Sequence, residues 1–267
     1  MRMSHGVAIA AAGLVLRLAS TVSAQFPPIT DPNSDEAKCE KGAGAALTKF
    51  VAAKAKCGAK CIKTARKAGG PYAPCLSPYS DPTTNFCIFD SVKGAEAKAR
   101  AAIVKACAVD CPECYTSQDA NLCTTGDPFV SNSSSQSDGF GGLVYCSENN
   151  STTPTAEEAK CEDGVSKNLI KFIAAKSKCY QKCNQNMLKG KIAQGSCDPP
   201  NPTDAATDAC IHDPVKGAEA KSAAAIDKVC ASVGANPSCA VFTAGSQWVS
   251  AVENIVDGQI PNIACGA

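Results

Sequence analysis

Lys49-Phe50-Val51-Ala52-Ala53-Lys54-Ala55-Lys56-Cys57 returns 122 residues later as Lys171-Phe172-Ile173-Ala174-Ala175-Lys176-Ser177-Lys178-Cys179. Around the first stretch, Cys39, Ala43, Leu47, Phe50, Cys57 and Cys61 recur at steps of three, four or seven. That spacing lines one face of an α-helix. Cys161, Val165, Leu169, Phe172, Cys179 and Cys183 repeat the face in the second stretch. A second match follows, Asp90 to Lys98 against Asp213 to Lys221. Its apolar face begins at Val92 and runs to Cys107. Asp90 and Asp213 are good N-caps, and Pro214 suits a first helical turn. Matches of this length point to one structural unit used twice, each copy a helical hairpin.

The cysteines follow the same ruler. Cys39, Cys57, Cys61 and Cys75 map onto Cys161, Cys179, Cys183 and Cys197 at an offset of 122, and Cys87 and Cys107 onto Cys210 and Cys230 at 123. Antiparallel helices rising about 1.5 Å per residue bring equally spaced cysteines opposite each other. The spacing predicts Cys39–Cys107 at the open end of the first hairpin, Cys57–Cys87 at its loop end and Cys61–Cys75 across the turn. The second copy is expected to use Cys161–Cys230, Cys179–Cys210 and Cys183–Cys197. Elimination adds Cys114–Cys146, Cys239–Cys265 and Cys111–Cys123. The Cys57-x-x-x-Cys61 and Cys179-x-x-x-Cys183 pairs resemble those of the α-hairpinins, small disulfide-linked helical hairpins. The resemblance covers this motif alone. The second helix has Cys107-x-x-x-Cys111 in one copy and no counterpart after Cys230 in the other, so no function comes with it.

Residues 1–24 carry Arg2, an apolar middle and Val22-Ser23-Ala24, the pattern of a secretory signal cleaved after Ala24. The protein is therefore expected to be secreted or periplasmic. All 18 cysteines lie beyond that segment, and an even number in an oxidising compartment reads as nine disulfides. No later run approaches the roughly 18 apolar residues of a transmembrane helix. Residues 25–34, with three prolines, read as an extended arm. Residues 35–123 form unit 1 and residues 156–267 unit 2. Residues 124–155, rich in Ser, Gly and Asn, read as an exposed linker carrying sequons at Asn132, Asn149 and Asn150. The fold class is thus all-α, two tandem disulfide-stapled helical hairpin units joined by a flexible linker. Val241 to Val256, with Trp248, Val249 and Val252 at helical spacing, is expected to add a helix that caps unit 2.

Composition removes several functions. The net charge is +1, whereas a nucleic-acid binder usually shows a strong basic excess. His212 is the only histidine after residue 24, and its counterpart is Phe89, which reads as packing. Without histidine pairs or a Cys-x-x-Cys-His motif, neither a metal site nor a cofactor is expected. Glu96 and Glu219 recur, but each lies between lysines, the pattern of a solvated face. Cys111-x-x-Cys114 has the form of a redox pair, yet follows a helix end, where the dipole has the wrong sign to stabilise a thiolate.

The lysines stand out. Lys49, Lys54, Lys56 and Lys60 align with Lys171, Lys176, Lys178 and Lys182 in stretches free of acid. They are read as a docking surface for an anionic polymer, a lipid surface or an acidic protein. The function expected is a binding or structural module. The alternatives are a secreted enzyme, using carboxylates for hydrolysis or Cys111 and Cys114 for redox, and an inhibitor or toxin-like protein.

Overall fold

The computed structural model describes residue 29 and residues 31–149, 152–234, 236–237 and 240–258. The expected signal segment lies outside them, as do Cys239 and Cys265. Among the described residues every regular element is helical and no strand occurs. The helices are α1 (Asp35–Ala68), α2 (Pro82–Phe89), α3 (Ala95–Ala106), α4 (Glu113–Gln118), α5 (Leu122–Thr125), α6 (Asp127–Ser137), α7 (Gly139–Val144), α8 (Cys146–Asn149), α9 (Ala156–Leu188), α10 (Ala205–His212), α11 (Ala218–Val233) and α12 (Gly245–Asp257). None is long and apolar enough to cross a membrane.

Two long helices organise the chain. Ser34 caps α1 by accepting from the Ala37 N–H, and Gly69 ends it at φ 79°, where a left-handed residue closes the last turn. Thr155 and Glu158 form a reciprocal capping box on α9. Arg66, near the end of α1, binds Glu162 and Asp163 near the start of α9. The early turns of α1, at Ala37, Glu40 and Gly44, face the late turns of α9 at Ser177, Gln181 and Asn184. The two helices therefore lie side by side in opposite directions.

Each long helix packs a partner. α3 lies on α1, stapled by Cys39–Cys107 with Cα atoms 4.4 Å apart, and α11 lies on α9, stapled by Cys161–Cys230 at 4.6 Å. Glycines permit this approach. A Cβ at Gly42 would lie 2.3 Å from Ala106 Cβ, and one at Gly164 2.2 Å from Val229 Cγ1. Further disulfides join Cys57–Cys87, Cys61–Cys75, Cys111–Cys123, Cys179–Cys210 and Cys183–Cys197. Cys114 and Cys146 are also disulfide-bonded. With Cys111 bound to Cys123, the Cys-x-x-Cys redox alternative lacks its reacting pair.

Three expectations need correction. The segment 124–149 is not an exposed linker. Phe129, Val130, Phe140, Val144 and Tyr145 are buried in it, and α6 packs on α1 and α3. Ser133, Ser134 and Ser137 share the buried helix face begun by Phe129 and Val130. A buried serine is small enough for close packing, and Ser137 satisfies its hydroxyl on the Ser133 carbonyl at 2.7 Å. The sequon at Asn132 stays exposed on this helix. Secondly, Asp90 and Asp213 do not start helices. Each accepts from the backbone of a tight turn, Asp90 from Lys93 N at 2.6 Å and Asp213 from Lys216 N at 2.6 Å. α3 and α11 begin five residues later. Thirdly, the loops before them hold α2 and α10, capped by Asp81 and Asp204. The helix expected near the C-terminus is α12, with Trp248, Val249, Val252 and Val256 buried. Of the expected arm, Ile29 is buried against the core.

Candidate functional site

The eight lysines separate into two groups. Lys49, Lys56, Lys60, Lys171, Lys178 and Lys182 are exposed. Lys54 and Lys176 are not: their side chains are 1% and 0% exposed, so they leave the expected docking surface. The signal was present in the spacing. Lys54 lies four residues after Phe50 and three before Cys57, on the apolar face, and Lys176 holds the same place between Phe172 and Cys179.

Both buried ammoniums are met by a closing helix. Lys54 Nζ donates to the Ser134 carbonyl at 2.7 Å, to Ser134 Oγ at 2.8 Å and to Asp138 Oδ1 at 2.5 Å. Burial lowers the Lys54 pKa, and Asp138 opposes the shift. Ser134 Oγ in turn donates a hydrogen bond to Glu96 Oε1 at 2.8 Å, and Arg100 pairs with the same carboxylate. In the second half, Lys176 Nζ pairs with Glu253 and with Asp257, the latter at 2.9 Å. Glu96 is therefore turned inward, whereas Glu219 is only partly buried, its side chain 31% exposed.

Around Lys176 the acids crowd. Burial and the hydrogen-bonded neighbour Glu253 push the Glu219 pKa up to about 7. Burial also works to raise Glu253, but hydrogen bonds to Glu219 and Lys176 outweigh it and hold that carboxyl below its usual range. Asp257 is raised by burial against the pull of Lys176. His212 is not simply packed: its Nδ1 lies 2.7 Å from Asp208 Oδ1, and its Nε2 lies 3.3 Å from Glu219 Oε1.

A second feature lies where α1, α9 and α11 meet. An open groove of about 770 Å³ is lined by Lys56 and Lys63 of α1, Lys167 and Lys171 of α9, and Lys228 of α11. Asp163 also lines it and is engaged by Lys63 at 3.3 Å and Arg66 at 3.2 Å. Of the sequence-predicted surface, Lys56 and Lys171 fall in this groove, and Lys49, Lys60, Lys178 and Lys182 do not line it. Lys167 and Lys228 lay outside the expected surface: Lys167 is one turn before Lys171 on the same face of α9, a spacing that could have found it, and Lys228 joins them only through the packing of α11 on α9. Comparison of the chain with protein-family models, with curated proteins and with solved structures finds no match.

Proposed function

We propose that this chain is a secreted scaffold of two helical units that binds an extended anionic polymer, best matched by an acidic polysaccharide, through the groove between α1, α9 and α11. The observation that carries the reading is the convergence of five lysines from three helices on one groove. Clefts lined by one sign of charge raise the local concentration of the opposite sign. A chain of carboxylates spaced along a polymer meets several ammoniums together, and each contact raises the effective concentration of the next. A lipid surface fits less well. The exposed apolar residues Phe86, Phe89, Val92, Val109, Val215 and Val241 do not line the groove. The hydrolase alternative is also weaker. Glu219 and Glu253 are in hydrogen-bond contact, whereas glycosidases hold their carboxyl pair about 5 Å or more apart.

Titration with polygalacturonate tests the reading. Lys56→Glu, Lys167→Glu, Lys171→Glu and Lys228→Glu together should weaken binding roughly a hundredfold, at up to about 1 kcal/mol per exposed pair. Lys49→Glu, Lys178→Glu and Lys182→Glu together should change it far less. Equal losses from both sets, or binding untouched by the first, would overturn the groove.

A further inference from the structure

We infer that His212, Glu219 and Glu253 form a binding site for one divalent transition-metal ion of the zinc type, built into the second half of the chain and missing from the first. The ligand atoms of the three side chains lie within 4.8 Å of one another. Glu219 Oε1 and His212 Nε2 are 3.3 Å apart. Two tetrahedral zinc ligands, each about 2.0–2.1 Å from the ion, stand about 3.4 Å apart.

The histidine is set for this task. Asp208 Oδ1 lies 2.7 Å from His212 Nδ1, one turn back on α10. A carboxylate at Nδ1 keeps the proton there and leaves a lone pair on Nε2, the arrangement by which metal-binding histidines are oriented. That lone pair then faces Glu219 Oε1, which is buried and accepts no hydrogen bond. Two acceptors facing each other call for a positive species between them, a proton or a metal ion.

Charge makes the second observation. The one ammonium in this cluster, Lys176, pairs with both Glu253 and Asp257, and Glu219 is a third carboxyl beside them, so acidic groups outnumber basic ones. A divalent ion would offset that excess, and Asp208 adds a further carboxylate at the rim. The corresponding place in the first half has no such excess. Phe89 stands for His212, Ser134 for Glu253 and Asn85 for Asp208, and Glu96 is met by Ser134 and Arg100. The substitutions that separate the halves are those that supply ligands and the group that orients one. Sequence spacing hides the set, because Glu219 and Glu253 come from α11 and α12. One imidazole and two carboxylates suit zinc or cobalt, whereas calcium takes six to eight oxygens, more than this cluster presents.

Calorimetric titration of the chelator-stripped full chain with Zn²⁺ tests the site, with Co²⁺ absorption as a second readout. One equivalent per chain is expected. Asp208→Asn should weaken binding about 10–100-fold. His212→Phe, which copies position 89, should abolish it while circular dichroism stays unchanged. Absence of saturable Zn²⁺ binding would overturn the site, as would His212→Phe binding like the original chain. Displacement of Zn²⁺ by equimolar Ca²⁺ would also overturn it.

Discussion

Lys54 and Lys176 are buried at matching places on the two long helices, yet the first meets one carboxylate and a serine where the second meets two carboxylates. Both are covered by a closing helix, α6 in the first half and α12 in the second. The closing helices also correspond in detail. Phe129-Val130-Ser131 of α6 matches Trp248-Val249-Ser250 of α12 at an offset of 119, and Ser134 and Asp138 then fall on Glu253 and Asp257. Phe129 stacks edge-on against Tyr115 with ring centres 4.8 Å apart, and Trp248 against Phe242 at 5.2 Å. The lesson is that one scaffold tolerates two electrostatic solutions. The first half closes its lysine with Asp138 and Ser134, and Ser134 leads on to Glu96 and Arg100. The second half carries more acid than its lysine can neutralise, and that surplus makes it the half with candidate chemistry.

The difference can be sharpened by removing one acid from each half. Asp138→Ala leaves the Lys54 ammonium buried with no carboxylate bonded to it. Breaking a buried pair costs about 3–5 kcal/mol, and because Asp138 is itself 40% exposed the loss should fall nearer 2–3 kcal/mol. Asp257→Ala leaves Glu253 on Lys176, so about 1 kcal/mol is expected. Urea unfolding of the two variants reads the difference directly. Equal losses would show that the second carboxylate on Lys176 does not compensate for the first.

A smaller contrast lies at the helix crossings. Gly42→Ala drives a methyl against Ala106 Cβ alone, whereas Gly164→Ala meets Val229 Cγ1 with Cβ behind it at 3.0 Å, in a β-branched helix residue held to one rotamer. Overpacking costs about 1–3 kcal/mol, and alanine recovers up to about 1 kcal/mol of helix propensity. Gly42→Ala should therefore destabilise by about 1 kcal/mol and Gly164→Ala by about 2 kcal/mol. Thermal melts that reverse this order would break the packing argument.

Much of the fold could be read from residue spacing. α1 and α9 stand out because their apolar stripes run unbroken over many turns. Equal spacing along facing helices leads to Cys39–Cys107 and Cys161–Cys230, and the structure carries both disulfides. α12 is visible through Trp248 to Val256. The features that spacing hides share one physical cause: polar residues in this chain are buried with internal partners. Serine in α6 packs like a small apolar residue once its hydroxyl bonds back to the helix. Lys54, Lys176 and Glu96 carry charges that are satisfied internally, by Ser134, Asp138, Glu253 and Asp257 far along the chain, and Glu219 sits beside Glu253 at the same closing helix. His212 reads as packing in the sequence because Phe89 holds its place in the first half. That comparison was informative in the opposite sense, since Ser134 changes to Glu253 at the same site.

Amide hydrogen exchange across α6 and α12 tests most directly the claim that each half is a three-helix unit closed over a buried lysine. The account predicts that amides of residues 131–137 are protected to a degree comparable with residues 249–256, because both helices bury an apolar face and clamp a lysine. Exchange of residues 131–137 at unprotected rates, with α12 protected, would return the segment to a linker and contradict the two-unit scheme.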